Sequence, residues 1–192
     1  MAGASVNNSV RIVAGAWRGR RLRVPQGATV RPTSEMVREA IFDSLGPIVD
    51  FTVLDLFAGT GAMGLEALSR GAARCVFVER DRAVVENLRA NINDLDSGAK
   101  SRVITADYRA ALQEFSRTGE TFDLLFVDPP YKLLTEVEVT LEPVVPSLIR
   151  EGGVVVLESG KASHPTLGAV PVFDRVYGDT RVTMAAIRRN IP

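Results

Sequence analysis

From residue 52 onward the chain repeats one pattern, a short apolar run followed by a turn and then a stretch with helical spacing, and this alternation leaves few folds open. The apolar runs are Thr52 to Leu56, Cys75 to Val78, Arg102 to Thr105, Phe122 to Val127 and Val154 to Leu157. A helix between two strands returns the chain in the direction it came from, so the pattern specifies a parallel, doubly wound α/β sheet. The helices are expected over Met63 to Arg70, stopped by Gly71, over Ala83 to Leu95, over Arg109 to Phe115, and over Val137 to Leu148, where Pro143 and Pro146 disturb it. The end of the chain differs. Val170 to Tyr177 and Arg181 to Arg188 flank Gly178-Asp179-Thr180, which predicts an antiparallel hairpin on one edge of the sheet.

Four successive apolar runs are followed at once by an acid: Asp55, Glu79, Asp107 and Asp128. Parallel strands all end at the same edge, so these side chains are expected to line one crevice, the place where open α/β sheets bind ligands. Ionised carboxylates accept hydrogen bonds and repel phosphates, so the crevice suits a ligand that offers hydroxyls, amines and a purine edge. The competing account is that such acids only cap the helices that follow, as Asp81 is expected to do. That account suffices for any one acid and is the weaker one for four in step.

The first of these acids opens the segment Asp55-Leu-Phe57-Ala-Gly59-Thr-Gly61-Ala-Met-Gly64, and Glu79 follows Gly59 by 20 residues. This is formally the dinucleotide pattern with its ribose-binding acid. Glycines at 59 and 61 let backbone approach a ligand closely, a need shared by nicotinamide cofactors and by S-adenosylmethionine. Two details favour S-adenosylmethionine: Asp55 sits where it can accept from a ligand ammonium, and no cation beyond a helix N-terminus stands ready for a pyrophosphate. The fourth acid begins Asp128-Pro129-Pro130-Tyr131. Two prolines remove two N–H donors and leave the Asp128 carboxylate and the Pro129 carbonyl as acceptors beside an aromatic face. Acceptors so placed suit the amino group of a flat base. They draw on its two N–H bonds and free the nitrogen lone pair, while Tyr131 holds the ring by stacking worth ~1 to 3 kcal/mol. A plain Pro-Pro turn with a surface tyrosine is the alternative, and the upstream glycine loop weighs against it.

The N-terminal part has another character. Residues 10 to 24 are expected to form two short strands with a glycine-containing turn, closed by Pro25, and Gln26 to Val30 a joint. Ser34 then offers a cap to a helix carrying Met36, Val37, Ala40, Ile41 and Leu45, ending at Gly46-Pro47. Two units are expected, a basic arm over residues 1–30 and the α/β domain over 31–192. The chain has 23 basic and 23 acidic residues, yet residues 1 to 40 hold seven arginines against Glu35 and Glu39, a surplus of five positive charges. Such segregation marks a polyanionic partner or a merely solvated terminus, and charge alone does not choose between them. One cysteine, Cys75, and one histidine, His164, supply neither a disulfide framework nor a zinc site, so no metal is expected and the reducing cytoplasm is the expected compartment. No apolar run approaches the ~20 residues that span a bilayer, and no apolar stripe calls for an obligate dimer, so a monomer without a membrane partner is expected.

The series Arg11-Ile-Val-Ala-Gly-Ala-Trp17-Arg-Gly-Arg20, Arg31-Pro-Thr33, Arg38-Glu-Ala-Ile-Phe42, Asp55 to Gly61, Gly64 to Gly71 and Asp128 to Tyr131 resembles the RsmD-type small-subunit ribosomal RNA guanine-N2 methyltransferases. The resemblance runs from Arg11 to the final hairpin. It implies a Rossmann-like enzyme that uses S-adenosylmethionine to methylate the exocyclic amine of one guanine of 16S ribosomal RNA in the small subunit. On that likeness Asp55, Phe57, Gly59 and Gly61 belong to the cofactor loop, Glu79 to the ribose hydroxyls and Asp107 to the adenine. The segment with Thr33 and Arg38 closes over the methionine end. Asp128, Pro129, Pro130 and Tyr131 form the catalytic tetrad, and Arg11, Trp17, Arg18, Arg20, Arg21 and Arg31 meet RNA, Trp17 being equally suited to the small core of the arm. Three other functions use some of these residues. A DNA adenine-N6 methyltransferase has only the first 50 residues for reading sequence; a nicotinamide oxidoreductase leaves Asp128 to Tyr131 without a role; a non-catalytic RNA-binding or assembly factor retains the cofactor pocket as a relic.

Overall fold

The computed structural model describes residues 10–25, 34–166 and 171–188. The chain enters as an antiparallel pair, β1 (Val10–Arg11) and β2 (Arg21–Leu22), with Val10 opposite Leu22. The α1 helix (Glu35–Leu45) starts where Ser34 Oγ accepts from the Val37 N–H, and it stops at Gly46 ahead of Pro47. Then β3 (Thr52–Asp55), α2 (Ala62–Ser69), β4 (Arg74–Glu79), α3 (Arg82–Asp94), β5 (Ser101–Thr105), α4 (Tyr108–Thr118) and β6 (Phe122–Val127) alternate as the apolar runs require. Their boundaries agree with the sequence pattern to one residue, except that α4 continues to Thr118 before Gly119 ends it.

Three segments depart from the sequence expectation. The helix anticipated over Val137 to Leu148 is two, α5 (Leu134–Leu141) and α6 (Val145–Leu148), preceded by a 3-10 turn at Tyr131–Leu133. Pro143 has no N–H to give to the preceding turn and its ring clashes with that turn's carbonyl, so one helix cannot run through it. The strand expected at Val154 to Leu157 is β7 (Ile149–Gly160), extended because backbone pairing with β9 (Thr180–Ala186) carries it through Glu158, Ser159 and Gly160. Hydrophobic patterning does not register polar residues that pair through their backbone. The final hairpin joins β8 (Pro171–Tyr177) to β9 through a two-residue turn, since Thr180 already pairs with Tyr177. Val170 and the proposed joint Gln26 to Val30 lie outside the described residues.

The seven-stranded sheet has the order β5-β4-β3-β6-β7-β9-β8, parallel from β5 through β7 and antiparallel at β9 and β8. Inside runs that look uniformly apolar, successive residues go to opposite faces. Val53, Cys75, Phe77, Leu124, Phe126 and Val156 pack with α1, α2 and α3. Leu54, Val76, Val78, Leu125, Val127 and Val155 pack with α4, α5 and α6. Val10, Ile12 and Leu22 of the N-terminal pair join the first of these clusters, with Trp17 partly buried against it. Among the described residues no helix is long and apolar enough to cross a membrane.

Candidate active site

The sheet reverses its winding between β3 and β6: from β3 the chain moves outward to β4 and β5, and from β6 outward to β7. Loops leaving the carboxyl ends of β3 and β6 therefore part in opposite directions and open a crevice. A cavity of about 610 Å³ lies there, and Asp55, Glu79, Asp107 and Asp128 all line it.

Each acid is held differently. Asp55 is 4% exposed, and its Oδ2 accepts from the Gly64 N–H at 3.0 Å. Burial pushes its carboxyl up to about 7; the Gly64 N–H pulls the other way, and the charges of Asp128 and Glu79 add to the rise. Glu79 Oε2 accepts from the Gly59 N–H at 3.1 Å and its Oε1 from the Arg80 and Asp81 N–H groups, so this carboxylate fixes the glycine loop as well as facing the cavity. Asp107 both faces the cavity and caps α4, accepting from the Arg109 N–H at 3.0 Å. Asp81 caps α3 through the Ala83 and Val84 N–H groups.

The glycine loop forms one wall. Gly61 is the N-cap of α2 with φ 82°, a conformation that disfavours a side chain, and a Cβ there would lie 2.4 Å from Leu88 Cδ1, which would have to shift. Phe57 stacks obliquely on Tyr108, centroids 5.1 Å apart, and both rings line the cavity beside Leu56 and Val78. On the opposite lip Asp128 is half-buried, Pro129 buried, and Pro130 and Tyr131 exposed, all four facing the cavity. Tyr131 is 54% exposed, so its ring offers an open face at the rim.

Several cavity residues escaped sequence reasoning. Glu158, 6% exposed at the end of β7, is a fifth strand-end acid, and the run Val154 to Leu157 before it carried the same signal as the other four. Tyr177 and Thr180 arrive from the C-terminal hairpin, Ser34 and Val37 from α1, and no local signal announces them. Arg38 is a correction to the expected cofactor set. It does not line the cavity; it is 1% exposed, and its Nη2 donates to the Arg11 carbonyl at 2.6 Å beneath the N-terminal pair. One helical residue turns a side chain by about 100°, so Arg38 stands on a different side of α1 from Val37, which lines the cavity. Burial lowers its pKa, while Glu66, Glu35 and Glu158 oppose that shift. Arg31 and Thr33 lie outside the described residues.

The arginines of the arm divide into two sets. Arg11 pairs with Glu35 at 2.8 Å, Arg20 Nη2 donates to the Asp94 carbonyl at 2.5 Å, and Arg23 pairs with the Asp94 carboxylate at 2.8 Å. These fasten the arm to α1 and α3. Arg18 and Arg21 are exposed, with no ion pair among the described residues. Cys75 is buried in β4, where burial pushes its thiol well up, and His164 is exposed in the loop after β7.

Residues 10–186 match the family described as conserved hypothetical protein 95. The chain is 44% identical over 129 residues to the ribosomal RNA small subunit methyltransferase D of Escherichia coli strain K12, a match that takes in 67% of this chain and 63% of that protein. The matched stretch thus spans less than two thirds of that relative's length. The protein of the same name from Haemophilus influenzae is 35% identical over 128 residues, 66% of each chain. Among solved structures, a hypothetical protein of Thermus thermophilus superposes with a TM-score of 0.80 at 35% identity, covering 93% of this chain and 99% of its own.

Proposed function

Because the chain belongs to the family of conserved hypothetical protein 95, the RsmD type, we propose that it transfers a methyl group from S-adenosylmethionine to 16S ribosomal RNA of the small subunit, at the exocyclic N2 amine of one guanine. The observation that carries this proposal is the meeting, on one cavity, of the glycine loop, the strand-end carboxylates and the Asp128 to Tyr131 lip. The cavity chemistry fits the cofactor. Its walls offer acceptors for ribose hydroxyls and for an ammonium, with apolar and aromatic surface between them.

In this mechanism Glu79 would accept from the ribose hydroxyls, Asp107 with Phe57 would hold the adenine, and Asp55 would accept from the ammonium of the methionine end. S-adenosylmethionine, when bound, would supply an electrophilic sulfonium methyl; N2 would gain that methyl and lose one proton, with S-adenosylhomocysteine as the other product. The guanine enters unpaired or flipped out of its stack, at a cost of a few kcal/mol, and Tyr131 covers its face at the rim. The Asp128 carboxylate and the Pro129 carbonyl accept the two amino hydrogens, which aligns the nitrogen lone pair with the methyl group. Asp128, which accepts one of the amino hydrogens, is also a candidate to take up the proton released. Residues 1–30 act as the RNA-binding unit and residues 31–192 as the methyltransferase unit of a cytoplasmic monomer. Arg18 and Arg21 meet phosphates.

The test is methyl transfer from labelled S-adenosylmethionine to small ribosomal subunits from a strain lacking the protein. N2-methylguanosine in the 16S RNA is the expected product. Asp128→Ala is expected to lower the rate by about 100-fold or more, the scale for losing one preorganised partner of the reacting group, while leaving RNA binding intact. Label on another base, or none despite cofactor binding, would overturn the proposal.

A further inference from the structure

Two buried polar side chains of α2 have no part in that mechanism, and both grip the backbone of the arm. Glu66, 0% exposed on α2, accepts from the Val13 N–H at 2.7 Å and the Ala14 N–H at 2.9 Å. Three residues along the same helix, Ser69 takes the Ala16 N–H on its carbonyl and the Trp17 N–H on its hydroxyl, which in turn donates to the Ala14 carbonyl. The α2 helix is the one that starts at Gly61 and whose Gly64 N–H meets Asp55. Its first turn is therefore cofactor wall and its last turn is arm support.

Asn91, 1% exposed on α3, makes the connection more directly. Its Oδ1 accepts from the Arg23 N–H at 2.7 Å, and its Nδ2 donates both to the Arg23 carbonyl at 3.1 Å and to the Thr60 carbonyl at 2.9 Å. Thr60 stands between Gly59 and Gly61 and lines the cavity. One amide group thus holds Arg23, the residue after β2, by both of its backbone groups and, with the same nitrogen, fixes the peptide between Thr60 and Gly61. Glycines leave a backbone free to take several conformations, and this loop is held from two sides, by Glu79 at the Gly59 N–H and by Asn91 at the Thr60 carbonyl.

We infer that Asn91 is a positioning residue that couples the arm to the cofactor loop, so that RNA bound to the arm tightens S-adenosylmethionine binding and the cofactor tightens RNA binding by the same factor. RNA on the docked arm stabilises the arrangement in which Asn91 holds Thr60, and linkage makes the effect reciprocal. This rests on the methyltransferase proposal above, because it needs both ligands.

The experiment measures the affinity of the full chain for S-adenosylhomocysteine alone and when saturated with a 16S ribosomal RNA transcript, and its affinity for the transcript with and without S-adenosylhomocysteine. The wild type is expected to show the same gain, about fivefold or more, in both directions. Asn91→Asp keeps the acceptor for the Arg23 N–H and loses the donor to Thr60, so it is expected to bind both probes with a coupling factor near one. Should it melt, Asn91→Leu, close in size and without either a donor or a buried charge, provides the same comparison. A folded variant with the wild-type coupling factor, or a wild type that binds both probes independently, would overturn the inference and leave the methyltransferase proposal standing. A wild type that binds neither probe would overturn both.

Discussion

Asp55 shows how one residue's surroundings set a measurable behaviour of the whole site. Burial raises its carboxyl from 3.8 to about 7, so near neutral pH it is divided between two protonation states. A ligand ammonium beside it favours the ionised form. Cofactor affinity is therefore expected to rise with pH through about 7, and binding at pH 6.5 to release a proton, seen as a calorimetric enthalpy that changes with the buffer. Asp55→Asn, which keeps an oxygen for the Gly64 N–H, is expected to weaken binding and abolish that pH dependence. An unchanged profile would remove Asp55 from the ammonium site. The unliganded protein follows the opposite course. The native state keeps a proton that the unfolded chain gives up near 3.8, so this group's stabilisation is complete below that value and is lost as pH rises through about 7. The loss is at most about 4 kcal/mol, and chemical denaturation of wild type and Asp55→Asn across that range measures it.

At the scale of elements, the attachment of the arm to α2 depends on a position where only glycine fits. Gly15 has φ 82°, and a Cβ there would lie 1.9 Å from the Ser69 carbonyl oxygen. Backbone strain at a left-handed residue costs on the order of 1 to 3 kcal/mol, and here the contact with α2 is lost as well. Gly15→Ala is expected to destabilise the protein by about 2 kcal/mol or more and to weaken RNA binding, as measured by urea denaturation and by titration with a 16S transcript. Full stability in this variant would mean that the arm is not held as described. The same contacts explain the placement of Arg38: with its side chain turned under β1 to reach the Arg11 carbonyl, it supports the arm from below.

At the scale of the molecule, a basic arm is fastened to an acidic body, and the fastening uses part of its charge. Arg11, Arg20 and Arg23 are engaged with α1 and α3, which leaves Arg18 and Arg21 to face a polyanion. Replacing both by alanine is expected to reduce the slope of log affinity against log salt by about 1.4 to 1.8, or 0.7 to 0.9 for each lost phosphate contact; Arg20→Ala should change it less. Equal effects from all three would mean that the docking contacts give way when RNA binds. The amino-acid order by itself determined the strands, most of the helices, the glycine loop, the four acids on one edge and the Asp128 to Tyr131 lip, because these follow from periodicity and from neighbours in the chain. Glu158 belonged to the same pattern and was legible there, although β7 as a whole was not, being extended by pairing rather than by apolar residues. Only the tertiary structure decided that Tyr177 and Thr180 reach the cavity, that Arg38 leaves it, and that Glu66 and Asn91 bind an arm 52 to 68 positions away in the chain. Such contacts depend on how layers stack, and a buried Glu or Asn carries no local mark of the distant backbone group that satisfies it.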